Sequence, residues 1–283
     1  MLMMLPNLSS HQIQSKSINN SSGFTLIELI IVIVITGILA TMTTDIITLP
    51  VKSYIDLERR TALTNNADIA LRRMQRDIRQ ALPNSIRITG GGKVLEILHT
   101  SDGGRYRKYQ PWTGSGDELK IAVSDTSLDI IGSLQSVPEG KIVINNQGVI
   151  GENNAYSYSA ALSKGDNIAK ITSSTINSIN FTSIAFPLGS PYQHFFIVDA
   201  PVTYRCDLLN GQLLRYEGYA ITATQANPPA GTGHIQVNKL TDCLFTYLDG
   251  VSSRLDLVSL RLTLTDSDES VSLLHQVHVD NAS

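Results

Sequence analysis

Ser22-Gly23-Phe24-Thr25-Leu26-Ile27-Glu28-Leu29-Ile30-Ile31-Val32-Ile33-Val34-Ile35-Thr36-Gly37-Ile38-Leu39-Ala40 decides the reading of this 283-residue chain. One carboxylate, Glu28, stands inside an otherwise apolar run, and a glycine–aromatic step, Gly23-Phe24, precedes it. A charge in hydrocarbon costs a few kcal/mol on insertion scales, so an isolated one in such a run marks function. An ordinary signal peptide would carry a charged start and a small-residue cleavage site after its apolar core. Here residues 1–23 are polar, Lys16 is their only formal charge, and the Gly-Phe step lies before the core. A plain membrane anchor or a buried globular helix has no use for Glu28.

The stretch resembles the N-terminus of type IV prepilins and type II secretion pseudopilins, which share a Gly-Phe cleavage point, Thr-Leu-Ile-Glu after it and a long apolar run. The resemblance implies that a prepilin peptidase cuts after Gly23 and methylates the new amino group of Phe24. It further implies that Glu28 meets the N-terminal ammonium of a neighbouring subunit as the helix leaves the membrane for a filament. Opposite charges that neutralise each other when buried lose most of the desolvation cost that either bears alone.

The periodicity predicts helix from Phe24 to Leu82, with Pro50 expected to kink it or open a turn. Leu63, Ala67, Ala70, Leu71, Met74, Ile78 and Leu82 recur at three- and four-residue spacing, a one-sided apolar stripe. Arg59, Arg60, Arg72, Arg73, Arg76 and Arg79 occupy the other faces, diluted by Asp56, Glu58, Asp68 and Asp77. No aromatic side chain interleaves with these arginines, so the face lacks a stacking platform for single-stranded nucleic acid. It reads as a solvated or subunit-contacting surface, and nucleic acid is not an expected partner. Pro83-Asn84 ends the helix.

From Ser85 onward the pattern changes to short extended runs broken by Gly, Asn, Ser and Pro. Strands are expected over 85–89, 94–98, 119–123, 141–144, 169–172, 178–182, 194–198, 202–206, 212–216, 243–248, 257–264 and 271–279. Asn210-Gly211 is a tight-turn signal. Alternation of Leu260, Leu262 and Leu264, and of Val277 and Val279, buries one face of a C-terminal hairpin. The expected class is therefore α+β: a pilin-like long N-terminal helix, transmembrane then amphipathic, packed on a large antiparallel β-sheet domain. The expected divisions are a leader over 1–23, the helix over 24–82 with its membrane or filament-core part about 24–48, and a β-rich periplasmic or surface domain over 83–283. So many strands exceed one simple pilin sheet, and residues 110–190, rich in Ser, Asn and Gly, are the candidate for an insertion or second sheet.

Net charge is −3, which suggests neither nucleic acid nor an anionic surface as a general partner. Cys206 and Cys243 are the only cysteines. Export through the apolar segment would place them where disulfides persist, so a bridge is expected, against the alternative of two unrelated buried thiols. Gly90-Gly91-Gly92-Lys93 resembles a phosphate loop only superficially, because Arg87 and Val94 stand where that motif needs Gly and Ser or Thr. It reads as a hairpin turn. Gly114-Ser115-Gly116 lacks the outer residues of a nucleophile elbow. His275 and His278, three apart on a strand, point to opposite faces and cannot share a metal. Neither an enzymatic role nor a cofactor is expected. Asp266, Asp268 and Glu269, in the turn between the last two strands, are the candidates for calcium, although their spacing is not that of the known calcium loop and acidic turns are common.

Residues Leu95–Arg107 and His275–Asn281 resemble the O-type minor pilins of the mannose-sensitive haemagglutinin (MSHA) pilus, which join a prepilin N-terminus to a large β-rich domain with two late cysteines. The resemblance implies a minor pilin-like structural subunit that primes, caps or decorates a type IV pilus. The alternatives are a minor pseudopilin of a type II secretion system, and a tip adhesin or DNA-uptake pilin. The implied partners are the prepilin peptidase, major and other minor pilins, the inner-membrane assembly platform, and membrane lipid before assembly. The implied location is the inner membrane in a single pass, with a periplasmic C-terminal domain, then the pilus or cell surface of a Gram-negative bacterium.

Overall fold

The structure, a computed structural model, describes residues 23–109, 114, 116–248 and 256–279. Residues 1–22 of the expected leader, Pro111-Trp112-Thr113 and the ending Asp280-Asn281 lie outside the described residues. Two compact units divide the chain, the first ending at Ile55 and the second beginning at Asp56. One element, α1 (Leu26–Arg79), supplies the described α-helix of both.

Pro50 lies inside α1, and the helix continues through it instead of opening a turn. A proline removes one hydrogen bond and crowds one carbonyl, a cost of about 3 kcal/mol that a long helix can absorb. The helix stops at Arg79, three residues before the expected end. Pro83 disfavours helical backbone in the residue before it. Leu82 N–H instead donates to Leu98 O at 2.8 Å, and Ala81 bridges His99.

Every residue of the apolar stripe, Leu63 through Leu82, is buried. Each such leucine, isoleucine or methionine gains about 1.5–3 kcal/mol by leaving water. Within the second unit the stripe from Leu63 to Ile78 shares one core with Leu95, Ile97 and Tyr204 of the large sheet's strands and with Val258, Leu260, Leu262, Leu264 and Val277.

Among the described residues, twelve strands build two antiparallel sheets. The large sheet contains β1 (Arg87–Thr89), β2 (Val94–Arg105), β3 (Asp125–Asp129), β4 (Lys141–Ile144), β5 (Ile168–Ser174), β6 (Ser178–Ile184), β7 (His194–Asp207), β8 (Gln212–Glu217) and β9 (His234–Asn238). The small sheet is β10 (Leu240–Leu248), β11 (Asp256–Asp266) and β12 (Glu269–Val279).

Strand β7 joins two runs expected separately. One of its edges pairs with β2 throughout, while the other pairs with β4 up to Val198 and with β8 from Val202. Pro201 stands in the gap where that partner changes, and a proline has no N–H to give a ladder. Residues 110–190 are not an independent sheet. They supply β3 to β6, extend the large sheet, and close a second core around Tyr106, Leu128, Phe181, Phe186 and Phe195. The expected strand 119–123 is absent, because Ala122 takes a positive φ of 60° and only Ile121 makes a bridge, to Phe186. Strands β3 and β9 were not expected. Asp-Thr-Ser-Leu-Asp of β3 carries little apolar pattern, and pairing with β6 holds it extended, whereas His-Ile-Gln-Val-Asn of β9 alternates, with Ile235 and Val237 on one face, a short period-two signal that the expected strands left out.

Candidate functional site

The first unit presents the segment on which the sequence reading turns. Gly23 and Phe24 precede the helix, Phe24 is 81% exposed, and a Cβ added to Gly23 would meet no atom within 4 Å. Thr25 caps α1: its Oγ1 accepts from the Glu28 N–H at 3.3 Å. Thr-x-x-Glu is the capping-box pattern, so the signal lay in the sequence beside the carboxylate and was not read. Glu28 thus sits in the first helical turn, where the dipole favours a negative charge.

From Leu26 to Met42 the large apolar side chains are all exposed, around the whole circumference of the helix. A surface of that extent marks a site that a partner or lipid covers. The hydroxyls within it are satisfied locally: Thr36 Oγ1 donates to Val32 O at 2.6 Å, and Thr41 Oγ1 to Ile38 O at 2.8 Å. Among the described residues no helix is long and apolar enough to cross a membrane. The run Leu26–Met42 covers about 25 Å at 1.5 Å per residue, short of a hydrocarbon core of about 30 Å, and Glu28 lies inside it.

In the second unit Cys206 on β7 is disulfide-bonded to Cys243 on β10, so the bridge joins the large sheet to the small one. Beside it the Gly90–Lys93 turn, a β1–β2 hairpin as expected, docks on β10. Phe245 N–H donates to Gly92 O at 2.8 Å, Cys206 N–H to Lys93 O at 2.9 Å, and Lys93 Nζ reaches Asp242 Oδ1 at 2.7 Å.

Two buried charge clusters escaped the sequence reading. Arg87 lies 2.6 Å from Glu96, stacks its guanidinium 3.7 Å from the centre of the Tyr156 ring, and donates to the carbonyls of Thr222 and Ala223. Burial raises the Glu96 pKa despite the opposing charge and hydrogen bond of Arg87. The other cluster corrects the placing of Asp77 on the arginine face. Asp77 is buried and accepts from Arg215 Nε at 2.8 Å and Tyr204 Oη at 2.9 Å. Burial and then the Asp77 charge push the Tyr204 hydroxyl well up.

The arginine face is partly neutralised within the helix, by Asp68 on Arg72 at 2.6 Å and Asp56 on Arg59 at 3.5 Å. Asp266, the first calcium candidate, is ion-paired with Lys239, while Asp268 and Glu269 lie on the β11–β12 hairpin. Among the described residues no group of three or more His, Cys, Asp or Glu side chains is placed to hold a metal ion. At the end of the Leu95–Arg107 segment, Tyr106 is buried, Arg105 donates to Tyr192 O and Arg107 approaches Asp129 at 3.9 Å.

Residues 18–44 match the sequence model of the family described as Prokaryotic N-terminal methylation motif. That motif is a type IV pilin-like signal, and it implies processing by prepilin peptidase and assembly with other pilins in general. No curated protein and no solved structure matches the chain.

Proposed function

We propose that the chain, carrying an N-terminal methylation motif, is a minor pilin-like structural subunit that primes, caps or decorates a type IV pilus of the MSHA type. Its role is non-enzymatic. The observation that carries this reading is the capped helix start in which Glu28 stands within a fully exposed apolar surface. Before assembly that surface lies in the inner membrane, where a run of about 25 Å is accommodated by local thinning of the bilayer. In the filament it packs against the helices of neighbours, and Glu28 neutralises the methylated amino group of an adjacent Phe24. The disulfide-stapled β unit fits a periplasmic and then surface location, since disulfides persist there.

Mass spectrometry of protein purified from membranes tests the reading. An N-methylated Phe24 terminus is expected; an intact Met1, or a cut beyond Ala40, overturns it. Deletion of the gene then separates pilus from secretion piston. Lost surface pili with normal exoprotein release supports the pilus subunit, and the reverse assigns the chain to type II secretion.

A further inference from the structure

Strands β4 and β5 set two lysines face to face. Lys141 and Lys170 are directly opposed in the antiparallel ladder, so their side chains leave the same face of the sheet. Like charges in that relation destabilise a sheet. Among the described residues no carboxylate forms an ion pair with either. Lys141 Nζ donates to the backbone carbonyl of Asp199 at 3.0 Å, while the Asp199 carboxylate approaches His99 at 3.3 Å. Burial pulls the Lys141 pKa down; Asp199 opposes the shift and Lys170 adds to it.

Both lysines line a cleft of about 730 Å³, within the range of small-ligand sites. Tyr158 forms part of its wall, with its ring centre 5.3 Å from Lys141 Nζ. Ser163 supplies a hydroxyl to the lining. Ser173 adds a hydroxyl, and Glu139 is the one acidic lining residue against the two lysines. A lone inorganic anion would leave most of such a cleft empty. The combination of paired cations, an aromatic wall and hydroxyl groups suits a ring-shaped, hydroxyl-rich ligand that carries a carboxylate.

We propose that this cleft binds an acidic saccharide, with its carboxylate between Lys141 and Lys170 and a sugar ring against Tyr158. The site is separate from the N-terminal segment, and its test does not depend on filament membership.

Isothermal titration of the full chain in detergent with trigalacturonate is the experiment. Binding is expected, with no binding of the fully methyl-esterified, uncharged trimer. Lys141→Gln and Lys170→Gln should each weaken the interaction by about tenfold or more, the loss of one charge-assisted hydrogen bond. Tyr158→Leu should weaken it while leaving the preference for the acid intact. Without ligand, Lys170→Gln should melt at a higher temperature than the parent, because the opposed charges are gone; this also reports that the variant folds. The proposal is overturned if trigalacturonate does not bind, if the ester binds equally, if the lysine variants bind like the parent, or if tri-aspartate displaces the sugar with equal affinity, which would assign the cleft to acidic peptides.

Discussion

Asp77 of α1 and Arg215 of β8 lie 2.8 Å apart, Oδ2 to Nε, and each side chain is less than a tenth exposed. The pair ties the helix to the large sheet across 138 residues of sequence, and Tyr204 adds its hydroxyl to the same carboxylate oxygen. Asp77→Ala should therefore cost about 3 kcal/mol, because it leaves a buried guanidinium with only Glu217 as counter-charge. Asp56→Ala, which removes an exposed helical pair with Arg59, should cost no more than about 0.5 kcal/mol. Urea denaturation of both variants checks the contrast, and equal effects would deny Asp77 its structural weight.

Removal of the inter-sheet bridge should weaken the second unit as a whole. Cys206→Ser opens a cross-link between cysteines 37 positions apart, worth about 3–4 kcal/mol by loop-closure entropy. Non-reducing peptide mapping should find Cys206 and Cys243 joined, and thermal melts with and without reductant should reproduce the loss seen in the variant.

Adjacent glycines of one turn should respond differently to the same substitution. A Cβ on Gly92, at φ +83°, would lie 2.6 Å from Leu244 Cδ1 and 2.9 Å from Phe245 O, so Leu244 and the β10 backbone would have to shift. Gly91, at φ +63°, would place its Cβ in open space. Gly91→Ala then carries only the backbone cost, about 1–2 kcal/mol, whereas Gly92→Ala adds about 1–3 kcal/mol of steric strain. Chemical denaturation gives both values.

Glu28→Leu should leave the β unit and its melting temperature unchanged, since Glu28 is exposed on the first unit. In cells it should increase retention in the membrane, because the insertion penalty of a charge disappears. Entry into filaments should fall, since a buried amino group then lacks its counter-charge, at a cost of about 3–5 kcal/mol. Leader cleavage, melting temperature and filament counts are the readouts. Normal filaments would show that this charge is dispensable.

Carboxylates of opposite behaviour should give opposite pH slopes. A hydrogen bond from Lys93 holds Asp242 below its ordinary range. Its contribution is present above the unfolded pKa, about 4, and is lost as pH falls through the lower folded value. Burial raises Glu96, so its contribution is complete below the unfolded pKa, about 4, and is lost as pH rises through the folded value. On acidification from about pH 7 to about pH 3, the advantage of the parent over Asp242→Asn should shrink, and its stability relative to Glu96→Gln should improve. Urea titrations across that range measure both slopes.

The helix and its buried face were legible because a three-to-four residue period survives in sequence without help from the rest of the chain. Leu63 through Ile78 show it, as the β12 alternation shows period two. Asp77 lies on that same face, three residues after Met74, yet the pattern alone did not mark it as buried, because Arg215 becomes its neighbour only through the fold. Strand β3 was invisible for a related reason: its partner holds it, not its own residues, whereas β9 does show its alternation in Ile235 and Val237. Gly23, Phe24 and Glu28 could be read because the motif is contiguous. The opposed lysines of β4 and β5 could not, since a ladder shifted by one residue would part them.

The strands that cover the helical stripe come late in the chain. Leu63, Leu71 and Ile78 are synthesised long before Val258, Leu260, Leu262 and Val277, which meet them in one core. Synthesis runs from the N-terminus, and contacts so distant in sequence form slowly. The stripe, met first by Leu95, Ile97 and Tyr204, must therefore wait, sticky and only partly covered, for the small sheet to arrive, and a helper that shields apolar helices would act in that interval. A chain interrupted before β11 would keep the stripe in view and so advertise its own truncation to any protease that surveys unfolded protein.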